Sequence, residues 1–179
     1  MMRRVHQADL AHQLGRDGLP AMREALKIID NPDDIYQRIA SLFATRLVPP
    51  DEGEALATSL AAWASARERL GVALAGHVRA AACALAQAAP RRAWPHVEAA
   101  LHLAGDRQPD SFYLPELWLV AAQVHQALGR GQDASNACQH GLRWVHQVAD
   151  QHMPEGFRDS FLHRNPINRE LQALAAKLS

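Results

Sequence analysis

Cysteine is scarce, aromatic residues make up only 6% of the sequence, and neither sign of charge is in excess, with 19 basic and 19 acidic residues in 179. Each scarcity excludes something. Cys83 and Cys138 stand far apart in apolar surroundings, so they read as small core side chains rather than as a disulfide framework. A chain without a basic stripe is poorly equipped to neutralise phosphates, so no direct contact with nucleic acid is expected. The pairs Arg3-Arg4 and Arg91-Arg92 read as ordinary solvated surface. Long apolar runs are missing as well. The longest, 70–76 and 117–122, are far too short to span a bilayer, and residues 1–7 lack the apolar run of a signal peptide. The expectation is a soluble, cytoplasmic chain with no membrane partner.

Motifs of catalysis and metal binding are also missing. No HExxH or His-x3-His spacing, no GxxxxGK[ST] and no GxGxxG occurs. His140 and His146 are six apart, a poor match to one helix face, and His146 and His152 straddle the end of a helix. The carboxylate pairs Asp33-Asp34 and Asp51-Glu52 suit helix starts better than acid–base work, because the helix dipole favours anions there. No catalytic residue, metal ligand or cofactor is therefore expected, and the chain is not read as an enzyme.

What the sequence does have is alanine and helical periodicity. Alanine has the best helix propensity and lets helices approach closely. Strand signals are nearly absent: no sustained alternation of period two and no Asn-Gly or Asp-Gly hairpin turn. Glycine and proline cut the chain into helical segments at about 3–14, 19–29, 34–47, 51–71, 72–88, 91–104, 111–128 and 132–150. A short segment at 157–162 and a last helix at 166–178 follow, the latter with Asn165 as cap and Pro166 at its first position. Asp33 or Asp34 caps the third helix, and Pro95 is placed in the first turn of the sixth. The four tryptophans, Trp63, Trp94, Trp118 and Trp144, all fall on helices beside apolar neighbours and read as core, with Trp94 and Trp144 the most polar in their flanks. The fold expected is all-α, a single domain over 1–179, with about four antiparallel helix pairs in 1–150 and a capping segment at 151–179.

Helix pairs invite a search for repeats. Residues 116–146 carry Trp118, Ala122, Leu128-Gly129, Ala134, Cys138 and Gly141-Leu142. His77, Ala81, Ala84, Ala93, Val97 and Ala100-Leu101 take matching places one unit earlier, with Ala93 and Ala134 41 residues apart. Crossing helices need small side chains at the crossing and large ones in the grooves. This spacing resembles the tetratricopeptide repeat, in a unit longer than the strict 34 residues of that family. Longer units of this kind resemble the helical repeats of MalT-like bacterial regulatory ATPases and the activation domains of some antibiotic regulatory proteins. The tail, 157–171, is similar to the closing segment of repeat regions in large bacterial regulators. Nothing matches the ATPase, kinase or DNA-binding portions of such proteins.

The resemblance implies a right-handed superhelix whose concave wall holds a peptide or a neighbouring domain. It places Gln37, Glu116, Gln123 and Gln126 on that wall as partner-binding residues, and His125 where tetratricopeptide helices carry a packing tyrosine. Two rival readings stand beside it. One is a self-associating helical bundle, a homo-oligomer built on Phe157, Phe161 and the last helix. The other is a small all-α enzyme with a pocket between helices, which histidines converging with a carboxylate would favour.

Overall fold

Proline opens several helices of this chain, and left-handed residues close several. The computed structural model describes residues 2–28, 31, 33–105 and 112–178, apart from the side chain of Gln13. In chain order its helices are α1 (Met2–Gln13), α2 (Leu19–Leu26), α3 (Ile35–Ala44), α4 (Pro50–Ser65), α5 (Leu70–Ala86), α6 (Pro90–Ala104), α7 (Leu114–Ala127), α8 (Gly131–His152), α9 (Glu155–His163) and α10 (Pro166–Leu178). No strand occurs among the described residues, so the all-α expectation holds. Proline stands in the first two positions of α2, α4 and α7, where its missing N–H is harmless. Asp34, not Asp33, caps α3: its Oδ1 accepts from the Tyr36 and Gln37 amides at 2.7 and 3.2 Å. Asn165 caps α10 as expected, through the Ile167 and Asn168 amides.

The expected break at Gly71 was misplaced. Helix α4 ends at Ser65 and α5 already begins at Leu70, so Gly71 lies inside a helix. The chain reverses at Glu68, which takes φ +54° while the Arg69 amide donates to the Ala64 carbonyl at 2.9 Å. This is the Schellman closure, in which one left-handed residue satisfies the last helical carbonyls. It recurs at Gly15, Ala88 and Gly129, with the next amide reaching back five residues each time. Smaller differences follow the same logic. Helix α3 stops at Ala44 rather than Leu47, and Pro95 is the sixth residue of α6, beyond its first turn. Ile29, Ser111 and most of the expected 105–110 connection fall outside the described residues.

The chain divides into two compact units, Met1–Leu103 and Ala104–Ser179. In the first, Val5, Ala8, Met22, Ala25, Ala40 and Ala44 form one buried cluster, with Phe43, Leu47 and Leu56 packed against it. Leu60, Trp63, Ala64 and Ala73 form another, covered by Ile35, Leu42, Val72 and Leu103. Helices α4 and α5, joined by a four-residue turn, form its most extensive pair. In the second unit α7 pairs with α8, α10 lies against both, and α9 packs on α8 and α10.

The 41-residue offset reappears in the backbone. Ala88 and Gly129 are both left-handed, and the Ala89 and Arg130 amides bond Ala84 and His125 at 3.0 and 2.9 Å. Ala93 and Ala134 are both the fourth residue of the helix that follows, and both are fully buried. Val97 and Cys138, Ala100 and Gly141, and Ala81 and Ala122 are likewise buried in register.

Alanine occupies at 88 the place that glycine occupies at 129, and an L-residue there costs roughly 1–2 kcal/mol of backbone strain. Glycine removes the strain but adds freedom to the unfolded chain, worth about 0.4–1 kcal/mol. Ala88 is exposed and has little packing to lose. Ala88→Gly should therefore raise stability by about 0.5–1 kcal/mol, read as a higher urea midpoint at unchanged slope.

Candidate functional site

Three of the four expected partner-binding residues share one face of α7. Glu116 and Gln123 are seven residues apart, two helical turns, and Gln126 lies one turn further on, so the strip is about 15 Å long. The rest of α7 is nearly all interior: Pro115, Leu117, Leu119, Val120, Ala121, Ala122, Val124 and His125 are buried. Glu116 and Gln123 are half-buried and Gln126 is exposed. Glu116 also stands in the first turn of α7, where the helix dipole favours a carboxylate. Gln37 is in the other unit, half-buried on α3. Its amide belongs to the Asp34 cap and its carbonyl accepts from Ser41 Oγ at 3.0 Å.

The strip has specific hydrogen-bonding chemistry. Each glutamine offers two donors and an acceptor, and the carboxylate accepts only. Such a row can pair with the N–H and C=O groups of an extended backbone, which no helix or sheet of its own satisfies.

Aromatic side chains around this unit serve packing. Trp118 is half-buried with the His140 ring stacked on it, centroids 4.9 Å apart and planes 18° from parallel. Arg143 lies 3.1 Å from His140 Nδ1. A guanidinium only donates, so that nitrogen accepts and the ring proton sits on Nε2. Trp144 meets Tyr113 edge to face at 5.6 Å. In the first unit Trp63 is buried, its Nε1 donating to Asp33 Oδ1 at 3.0 Å with the Arg67 guanidinium 4.8 Å from the ring centre. His125 is 9% exposed, in keeping with its expected packing role. Burial pushes its pKa down, against the pull of Asp133 at 3.8 Å, and Arg130 adds to the lowering.

Two polar groupings in the first unit were not visible as sequence spacing. Glu54, on α4, receives a fork from Arg92 at 3.1 and 3.0 Å and a bond from Gln87 Nε2 at 2.6 Å. Its side chain is only 17% exposed, which makes this charge-assisted set stronger than a surface pair. Nearby, His77 Nδ1 and His96 Nδ1 face each other at 3.2 Å. Burial lowers both pKa values; the His96 charge lowers that of His77 further, and Glu54 pulls that of His96 the other way. The one signal that could have found this pair is His77 itself, a polar residue in the most apolar helix of the chain. Cys83 and Cys138 are free and buried, and burial raises both thiols, so they remain protonated and inert. Among the described residues no three of His, Cys, Asp and Glu are placed to hold a metal ion.

Of the surface read for self-association, Phe157 and Phe161 lie on α9, while the last helix, α10, packs against α7, α8 and α9. Phe157 is 66% exposed at the edge of a groove of about 430 Å³, which Met153, Pro154, Phe161 and Arg164 also line.

No protein family, curated protein or solved structure matches this chain. No helix among the described residues is long and apolar enough to cross a membrane.

Proposed function

We propose that the chain is a non-catalytic protein-interaction module of the tetratricopeptide-like, superhelical kind, part of or derived from a bacterial signalling or transcriptional regulator. Its role in this reading is to hold an extended peptide segment, or the edge of a neighbouring domain, through side-chain amides. The observation that carries the reading is the strip of Glu116, Gln123 and Gln126 on a helix whose other residues are mostly buried. The support for its repeat character is the hairpin geometry shared at a 41-residue offset, with left-handed turns at Ala88 and Gly129 and buried small residues in register. Repeated helix hairpins bury their core between neighbours and leave one face of the first helix in each pair for recognition.

The test is affinity capture with the intact chain and with Gln123→Ala/Gln126→Ala, both checked for unchanged helicity by circular dichroism. A specific protein retained by the parent should be lost or weakened about tenfold or more in the variant, the worth of one or two hydrogen bonds at a desolvated interface. Unchanged capture removes the strip from the site. A second reading, self-association, is supported by the exposure of Phe157 beside its groove. The same experiment separates the two: capture of a second copy of the chain, abolished by Phe157→Ser and not by the glutamine variant, transfers the site to α9.

A further inference from the structure

The His77 and His96 rings are aimed at each other. Their centroids are 5.5 Å apart and their facing nitrogens 3.2 Å apart. The difference equals about two ring radii, so centroid, nitrogen, nitrogen and centroid lie nearly on one line. That alignment decides what can occupy the gap. A zinc ion needs about 2.0–2.1 Å to each nitrogen, with ligand axes meeting at an angle. Head-on axes leave only half the observed separation on each side, too little for any transition metal. A proton fits: one ring's Nδ1–H donates to the other ring's Nδ1 lone pair, at an ordinary hydrogen-bond length.

We infer that the His77–His96 pair is a proton-sensitive clasp between α5 and α6, closed while at most one facing nitrogen is charged and forced open when both are. In the neutral pair one N–H meets one lone pair. One added proton keeps the bond, because a protonated ring still donates to its neutral partner. A second leaves two N–H groups and two positive charges head to head, and the bond is gone. Charged and titratable groups lie on each of the three helices concerned. From α4 comes Glu54, its carboxylate held by Arg92 and Gln87. On α5 are Arg79, whose Nε reaches Thr45 Oγ1 at the end of α3, and the buried thiol of Cys83. On α6 are Arg92 and the exposed Glu98. Glu54 favours charge on His96, so the first proton settles there and the second is opposed by burial and by its neighbour.

The direction of the pH effect follows. Both folded-state pKa values lie below the ordinary 6.5. Above 6.5 neither state carries the protons and nothing is lost. Below it the unfolded chain takes up protons that the folded pair resists, so stability falls as pH drops from about 6.5. His125 is lowered as well and adds acid sensitivity to the second unit, so the readout has to be local.

The experiment is amide hydrogen exchange across α5 and α6 between pH 7.5 and 5, corrected for intrinsic rates, alongside NMR titration of the imidazole rings in the unaltered protein. Opening of α5 and α6 is expected to rise about fivefold to tenfold on acidification, matching the loss of one hydrogen bond. The rings of His77 and His96 should titrate in two separated steps. His77→Asn/His96→Asn keeps a neutral donor and acceptor near the same positions and should flatten the response, while the exposed His146→Gln leaves it intact. A full pH response in the double asparagine variant overturns the clasp. So do two rings that titrate independently in the ordinary histidine range, a result obtained on the parent protein whether or not the variant folds.

Discussion

Gly76→Val is expected to cost the first unit about 3 kcal/mol or more. A Cβ built at Gly76 stands 2.8 Å from the Ala61 nitrogen and 2.9 Å from the Ala61 Cα and Cβ. Two of those three atoms are backbone of α4, so no change of rotamer makes room and the helices must move apart. Alanine already tests the balance. It gains up to about 1 kcal/mol of helix propensity over glycine, but overpacking costs roughly 1–3 kcal/mol. The close crossing wins, and Gly76→Ala is destabilising as well. Valine adds two further methyls against the same wall. Gly156→Ala, on α9 with nothing within 4 Å of its added Cβ, is the contrasting case and should gain slightly from propensity. Urea unfolding followed by circular dichroism gives the size of the effect, and hydrogen exchange assigns it to α4 and α5. If Gly76→Val unfolds at the parent's midpoint, the two helices do not cross this closely in solution.

The Gly76 contact also marks where sequence reasoning stopped. Helix α10 was legible to the residue, because Asn165 and Pro166 are start signals whose chemistry is local. The 41-residue offset was legible because crossing helices demand small side chains, and Ala93, Ala134, Ala100 and Gly141 are buried as that demand requires. The close crossing at Gly76 was not, because it lies between α4 and α5, which the repeat template assigned to different pairs. In helices this rich in alanine, small residues mark every face, so composition cannot say which face is closest. The reversal at Glu68 was hidden for another reason: glycine announces a left-handed turn, and glutamate does not. Gly71 attracted the break and then proved helical. The α7 strip could be read from spacing, since Glu116, Gln123 and Gln126 share one helix and helical geometry fixes their common face. Glu54–Arg92 and His77–His96 join residues 38 and 19 positions apart on different helices. Only packing brings them together.

In the second unit the largest expected loss follows from a single amide. Asn168 is fully buried on α10, yet polar. Its Oδ1 accepts from Tyr113 Oη at 2.6 Å and its Nδ2 donates to the Phe161 carbonyl at 2.8 Å. Tyr113 stands at the entry to α7 and Phe161 on α9, so one side chain ties α10 to two other segments. Burial raises the Tyr113 pKa against the opposite pull of its bond to Asn168, so the hydroxyl stays protonated and donates. Leucine has the same branching and number of side-chain heavy atoms as asparagine but leaves both partners unsatisfied, at about 1–3 kcal/mol for each buried group. Asn168→Leu should therefore destabilise the unit by about 3 kcal/mol, and Tyr113→Phe, which strands one acceptor, by about 1–2 kcal/mol. The double variant is the sharper measurement. Once the hydroxyl is gone, leucine at 168 strands only the Phe161 carbonyl, so the combined loss should fall short of the sum by about 1 kcal/mol or more. Urea unfolding monitored through Trp144, whose ring meets Tyr113 edge to face, reports on this corner directly. Additive losses, each under about half a kcal/mol, would mean that the buried amide is hydrated rather than bonded, and that α10 is held by Leu171, Leu174 and the Gln172 bond to the Leu162 carbonyl.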